Sequence, residues 1–464
     1  MIGILSIRCR AATALASLSL ALIWIGSAAL APAARAADYV PGEVVVGYTP
    51  RPPVTVSAEL ARRLGGRAGA QPAPAPGEQV LRLPHGLSVA RAIARLRGQA
   101  GIAYAVPDFI AHTAGSWIPD DPGRGHVPGD WRQMQWNFLP GAGVNAPAAW
   151  ANLIADHRPG GRGVVVAVLD TGIAYRDWRQ YRASPDFAGT RFVKPYDFVA
   201  GNHFPLDREG HGTFVAGVIA EATNNHLGLT GLAYGASIMP IRILAADGTG
   251  DATTIARGIR YAATHGARVI NLSLEFSLDV TSRDIPQIIS AIGFAHRRGA
   301  VVVAAAGNEG VAQVAYPARA PAVISVGAST RDRCLADYSN TGSRLDLVAP
   351  GGGDDLDLPT DPACHPTRTL PDISQLTLLD PSRPGRFGYP GGWYGTSMAA
   401  PHVAATAALV IASGVLGRDP SPDQLFARLK ATAQPLGGSL PNRNYGYGLL
   451  DAGAATAPGA PRGR

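Results

Sequence analysis

Charge is scarce in this sequence, cysteine is rare, and lysine is almost missing. Only 16% of its 464 residues are charged, against 46% hydrophobic, which excludes wholesale disorder and leaves ample material for a core. The 56 Gly and 38 Pro follow no triplet period, so a collagen-like rod is excluded and a loop-rich globular chain remains. No internal repeat is present. Lysine occurs twice against 39 arginines, a bias that suggests GC-rich coding and a bacterial source. The net charge of +7 is uneven: residues 1–113 hold 11 Arg and 5 acidic residues, the rest 30 basic and 29 acidic ones. The long C-terminal part therefore carries no basic footprint, and nucleic acid is excluded as a partner. Past the N-terminus no stretch approaches the ~20 apolar residues that span a bilayer.

The N-terminus is where an apolar run does occur. Arg8 and Arg10 precede it, it extends from about Ala11 to Ala31, and it ends in Ala34-Arg35-Ala36. A charged start, an apolar middle and a small-x-small end read as a secretory signal peptide over residues 1–37. A membrane anchor is the competing reading, but Ser and Gly punctuate the run. Cys9 lies ahead of it, where a lipidation cysteine would not. The expected product is secreted or periplasmic, with no membrane attachment once the signal is gone, and a monomer. Two cysteines remain, Cys334 and Cys364. In an oxidising compartment an even pair reads as a disulfide, with two buried free thiols as the alternative.

Residues 38–113 read as a small α+β unit. Val44–Tyr48, Gln79–Leu83 and Ile102–Val106 are β-rich, Ser57 opens one helix to Leu64, and Ser88 caps a second with Val89, Ile93 and Leu96 on one face. Pro119–Arg132, rich in Pro, Gly and Asp, reads as a linker. The region from 114 to 457 alternates short apolar runs (Gly163–Leu169, Arg268–Leu272, Ala300–Ala305, Ala322–Val326) with helical patterns at Thr253–His265 and Ile285–Arg298. That alternation predicts an α/β fold, a parallel sheet with helices on both faces and functional residues at the C-terminal ends of its strands. Residues 458–464 are expected to fray.

Four short motifs stand out against that background. Asp170 leaves the first buried strand into Thr171-Gly172; His211 sits between Gly210 and Gly212 ahead of an Ala/Gly/Val helix; Asn308 follows the strand ending Ala304-Ala305-Ala306-Gly307; Ser397 starts an Ala-rich helix in Gly395-Thr396-Ser397-Met398. Taken singly, each has a plain reading as a cap or turn residue. Together, in the order Asp, His, Asn, Ser, they resemble the subtilisin-like serine peptidases, the subtilases, over about residues 114–457. The Asp, His, Ser order is the one subtilisin itself shows.

The resemblance implies roles. Ser397 would be the nucleophile, His211 the base, Asp170 its orienting partner, and Asn308 an oxyanion donor. Polypeptides would be the substrates, with no cofactor needed for catalysis. Ser273-Leu274-Glu275 and Gly248-Thr249-Gly250 would be the two edges that hold an extended peptide, with Ala305, Gly307 and Glu309 near the primary pocket. Glu275 departs from the glycine usual there. It either joins Glu309 in attracting a Lys or Arg side chain, or points to solvent and leaves a pocket for large apolar residues. Phe214 stands where a second His is common. Asp186, Asn225 and the carbonyls of Thr223, Leu227 and Leu229 resemble the family's calcium site, with a metal-free Asn-rich turn as the alternative. Asp354, Asp355, Asp357 and Asp361 read as a solvated loop. The unit at 38–113 resembles a subtilase propeptide, cut between about Ile110 and Trp117. Other activities fit less well. An esterase elbow would need a glycine where Ala399 stands, and the reverse order of the triad. A non-catalytic binding module would have had no need to keep all four positions.

Overall fold

The computed structural model describes residues 39–49, 62, 67–68, 77–109, 117–356, 358, 361–362, 364–367 and 371–459. The expected signal peptide, the helix at 57–64 apart from Arg62, Asp357, residues 110–116 of the expected processing window, and the tail beyond 459 lie outside them. The chain divides into two compact units, Met1–Ala111 and His112–Arg464.

In the first unit, strands β1 (Tyr39–Tyr48), β2 (Arg67–Ala68), β3 (Glu78–Arg82) and β4 (Ile102–Phe109) form an antiparallel sheet in the order β2-β3-β1-β4. Helix α1 (Val89–Leu96) is capped by Ser88, whose Oγ accepts from the Arg91 amide at 3.3 Å. Val44, Val46, Leu81 and Ala105 pack with Ala92, Ile93 and Leu96 in one small core. Period two on the strands and three to four on the helix put these residues on facing surfaces.

The second unit carries a larger sheet. Strands β5 (Val165–Asp170), β6 (Arg191–Phe192), β7 (Tyr196–Asp197), β8 (Ser237–Arg242), β9 (Val269–Leu272), β10 (Val301–Ala305), β11 (Val323–Ser329), β12 (Leu335–Ala336), β13 (Leu347–Pro350) and β14 (Asp355–Leu356) belong to it. Its order is β14-β12-β11-β10-β9-β5-β8-β6, with β13 beside β11 and β7 beside β8. All these pairs are parallel except those of β12. Helices α2 (Trp131–Met134), α3 (Ala146–Ala155), α4 (His211–Ala220), α5 (Ala252–Thr264), α6 (Pro286–Arg297), α7 (Thr396–Ser413), α8 (Pro422–Thr432) and α9 (Ala452–Thr456) complete the unit, with a hairpin of β15 (Thr377–Leu378) and β16 (Phe387–Gly388). Along β5, Val166 and Val168 face a core shared with α3, α4 and α7, while Ala167 and Leu169 face one shared with α5 and α6. The chain runs outward from β5 to β8 and then returns to β9 on the other side of β5. That reversal makes the crevice where open parallel sheets place their ligands.

Three features depart from the sequence reading. Strand β8 was not anticipated because Pro240 interrupts it, and proline lacks a ladder donor. The structure accommodates it where the neighbouring ladder is broken: β6 pairs with Ser237 and Ile238, β7 resumes at Ile241 and Arg242, and Pro240 lies between. The expected linker at 119–132 is packed against the core. Asp121 and Trp131 are fully buried, and the Trp131 indole donates to the Pro119 carbonyl at 3.0 Å. Its Pro, Gly and Asp content signals irregular backbone, which is not the same as solvent exposure. Within the acidic loop, Asp361 is buried and Asp355 accepts from the Thr330 hydroxyl. Cys334 and Cys364 are disulfide-bonded, as expected. Helix α7 is apolar and long enough to cross a membrane, and 89% of it is buried inside the unit.

Candidate active site

Asp170 ends β5 and is buried. Its Oδ1 accepts from the Thr171 amide at 2.7 Å and lies 2.7 Å from His211 Nδ1. A carboxylate can only accept here, so Nδ1 carries a proton, and in the neutral ring Nε2 offers its lone pair. His211 is the first residue of α4, and two neighbours fix where that helix begins. A Cβ at Gly212 would lie 2.1 Å from the Gly172 carbonyl, so no larger residue lets the helix start so close to the end of β5. Asp207, itself buried, accepts from the amides of Glu209, Gly210 and Thr213 and from the hydroxyls of Thr171 and Thr213. It is an anion seated on a helix N-terminus. The sequence reading did not single out Asp207; an Asp shortly before a helix start was its signal. Burial pulls the imidazolium of His211 down, but the Asp170 charge and hydrogen bond, with Glu209 and Asp207 behind them, outweigh it and hold the pKa at about 9. Phe214, one turn further along, stacks on Trp393 at 4.8 Å and is fully buried. A second His there would lose that apolar contact.

Ser397 is the second residue of α7. A proline four residues on shapes its surroundings. Pro401 has no N–H, so the Ser397 carbonyl loses its helical partner; the Ser273 hydroxyl replaces it at 2.8 Å. Ser273 is steadied in turn by the Asn271 amide at 2.9 Å. The Ser397 hydroxyl donates to the Ser273 carbonyl at 3.3 Å, and no hydrogen bond joins it to His211 among the described residues. Around it the Thr396 amide donates to Asn308 Oδ1, while Met398 and Ala399 reach back to the Gly395 carbonyl. The Ser397 N–H has no acceptor among the described residues, as befits the first turn of a helix.

Asn308 follows β10, and Thr396 sets which way its amide faces. The Thr396 N–H at 2.8 Å and hydroxyl at 3.0 Å both donate to Oδ1, so Nδ2 must face the opposite side. What it meets there is Glu275: Nδ2 lies 3.3 Å from Oε1, and the Asn308 backbone N–H lies 3.1 Å from Oε2. Glu275, half-buried, thus turns onto the Asn308 donors.

A cleft of about 430 Å³ is lined by His211, Thr171, Glu209, Gly248, Thr249, Gly250, Ser273, Leu274 and Glu275 among others. The two expected peptide-binding edges thus face one another across a space that His211 shares. Ala305 and Gly307 are buried at the end of β10, and Glu309 holds the Asn340 amide. None of these three lines that cleft.

Asp186 lies away from the cleft, on a short 3-10 turn. Its carboxylate accepts from Asn225 Nδ2 at 3.0 Å and from the Leu229 amide at 2.8 Å. Asp121, absent from the sequence reading, accepts from the amides of Asn224 and Asn225. Glu221 is fully buried nearby, with Oε1 lacking any partner. Burial raises Asp121 and Asp186 to about 7 each, and raises Glu221 well above the usual range; the charges of Asp121 and Asp186 add to the effect on Glu221. Among the described residues none of the three has a cationic partner, and the carbonyls of Thr223, Leu227 and Leu229 accept no hydrogen bond. Buried anions beside unused carbonyl oxygens are the donor set a hard cation such as calcium takes.

Known proteins resemble this chain. A model of the subtilase family matches residues 161–448, and one of the fervidolysin N-terminal prodomain matches residues 26–108. The chain is 32% identical over 377 residues to a thermophilic serine proteinase of Bacillus sp. strain AK1, covering 81% of this chain and 79% of that protein. It is 37% identical over 317 residues to subtilisin BL of Lederbergia lenta, covering 68% and 96%. Among solved structures, a protease of Pseudoalteromonas arctica aligns with a TM-score of 0.59 at 30% identity, covering 73% of this chain and 99% of that one. The chain belongs to the subtilase family of serine peptidases, hydrolases acting on peptide bonds, and carries an N-terminal prodomain ahead of the peptidase domain.

Proposed function

We propose that this protein is an exported serine endopeptidase, made as a zymogen, that cuts polypeptides through an acyl-enzyme formed on Ser397 and releases its own prodomain by the same chemistry. The observation that carries this reading is the 2.7 Å contact between Asp170 and His211 beside the cleft that Ser273 shares, with Ser397 hydrogen-bonded to that same Ser273. The Ser397 Oγ attacks the carbonyl carbon of the scissile peptide while His211 Nε2 takes its proton. Asp170 holds Nδ1–H in place and balances the imidazolium without being protonated itself. Negative charge gathers on the carbonyl oxygen, where the Ser397 N–H and Asn308 Nδ2 are the available donors. The intermediate collapses as His211 passes the proton to the departing amine nitrogen, leaving an ester on Ser397. Water then repeats both steps, with His211 taking its proton, and frees the carboxylate product.

The remaining parts of the reading follow from the sequence. Residues 1–37 act as the export signal, the unit at 38–113 as the prodomain, and cleavage falls between Ile110 and Trp117. The mature enzyme works as a single chain, secreted or periplasmic. Calcium held by Asp186, Asp121, Asn225 and the carbonyls of Thr223, Leu227 and Leu229 would neutralise buried charge and take no part in the peptide chemistry.

Ser397→Ala tests the core of the proposal. The expected product is an unprocessed precursor that a fluorophosphonate does not label, beside a wild-type enzyme labelled on Ser397 by peptide mapping. Normal maturation of purified Ser397→Ala, with no other protease present, would sink it.

A further inference from the structure

The Glu275 carboxylate accepts from the Asn308 backbone N–H at 3.1 Å and from one N–H of its side-chain amide at 3.3 Å. One of those groups, Nδ2, is the donor an oxyanion needs at about 2.7–3.1 Å. The second Nδ2 hydrogen remains for an oxyanion, but a fixed negative charge so close opposes the very charge the reaction develops. The intermediate therefore forms more readily once Glu275 has been drawn away. Its seat is built into the fold: Gly307 has a φ of 112°, and a Cβ there would lie 2.5 Å from Glu275 Oε2, so any larger residue would push the carboxylate off Asn308. Behind Gly307, Asn340 occupies Glu309, whose carboxylate stands beside the same glycine.

What could draw Glu275 away is a positive charge. Among the described residues no Lys or Arg lines the cleft, and on the side of the expected primary pocket the carboxylates of Glu275 and Glu309 both stand beside Gly307. A cationic side chain entering there meets carboxylates alone, and pairing with Glu275 frees Asn308 at the moment the scissile carbonyl arrives. An apolar side chain offers no such exchange.

We infer that Glu275 is a substrate-displaced gate on the oxyanion donor, opened by a Lys or Arg side chain in the residue before the scissile bond. This rests on the endopeptidase reading and adds the substrate class. Binding energy from a remote side chain is thereby converted into a freed donor, so the preference belongs in kcat more than in KM.

Matched peptides with Arg, Phe or Leu before the scissile bond read this directly. Wild type should favour Arg by tenfold or more, chiefly in kcat. Glu275→Gly should raise kcat for the Phe and Leu peptides about tenfold, bring the Arg/Phe ratio near one, and speed fluorophosphonate labelling of Ser397. Glu275→Gln keeps the size and an acceptor for Asn308 but not the charge; it should lose the Arg preference with no gain on Phe, and it serves if the glycine variant fails to fold. A wild-type preference for Phe or Leu, or an Arg/Phe ratio that both variants leave unchanged, overturns the gate. Failure of Ser397 to label in any of these proteins would instead overturn the endopeptidase reading beneath it.

Discussion

His211 bears two opposite pH dependences. As the proposed base it must be neutral, and its pKa of about 9 means that kcat/KM should rise as pH climbs from 6.5 towards 9. Stability runs the other way. The folded state raises this pKa above the usual 6.5, so the contribution is complete below pH 6.5 and is lost as pH rises through 9. An activity profile already flat at pH 7 would contradict the first half. At this scale the sequence was informative wherever a residue sits in a motif its neighbours impose: Gly210 and Gly212 announce His211, and Gly395-Thr396 ahead of an Ala-rich helix announces Ser397. Asp121 and Glu221 were not legible, because each acts through segments distant in sequence, while the local signal of Asp207, an Asp shortly before a helix start, was passed over. The geometry of Glu275 was equally hidden, since which way a side chain turns depends on the donor it finds.

At the scale of elements, the short hydrogen bond between the Ser273 hydroxyl and the Ser397 carbonyl joins the end of β9 to the first turn of α7. Ser273→Ala should leave that carbonyl and the Asn271 amide without their partner, costing roughly 1–3 kcal/mol as buried polar groups do. Thermal unfolding in a Ser397→Ala background, where autolysis is silent, measures it; a shift within error would mean that water replaces the hydroxyl without loss. Strands β5, β9, β10 and β11 and helices α5 and α6 were readable to within a few residues, because apolar runs and helical periodicity are local signals. Strand β8 and the packed stretch 119–132 were not. Proline and glycine obscure a strand whose missing donor the fold has already accommodated at a break in the ladder.

For the whole molecule, the buried carboxylates around Asp186 decide how stability answers to pH. Asp121 and Asp186 titrate at about 7 in the fold, against a usual 3.8. A raised carboxyl pKa gives no penalty below 3.8, then a loss of stability that grows up to about pH 7, and Glu221 adds in the same direction. Chelated Ser397→Ala protein should thus melt lower at pH 8 than at pH 5, and calcium should recover more of the melting temperature at pH 8, where it does not compete with protons. Equal calcium shifts at both pH values, or none, would remove the metal from this loop.

The reversal of strand order around β5 has a consequence in time as well as in space. Asp170, His211, Asn308 and Ser397 are brought together from separate stretches of a long chain, and the last of them opens a helix buried almost throughout. A ribosome that has made the sheet up to β11 has not yet made Ser397, the proposed nucleophile. On the proposed mechanism hydrolytic power therefore arrives late, after α7 has been synthesised and has found its place, and a chain that stops short of that helix lacks its nucleophile.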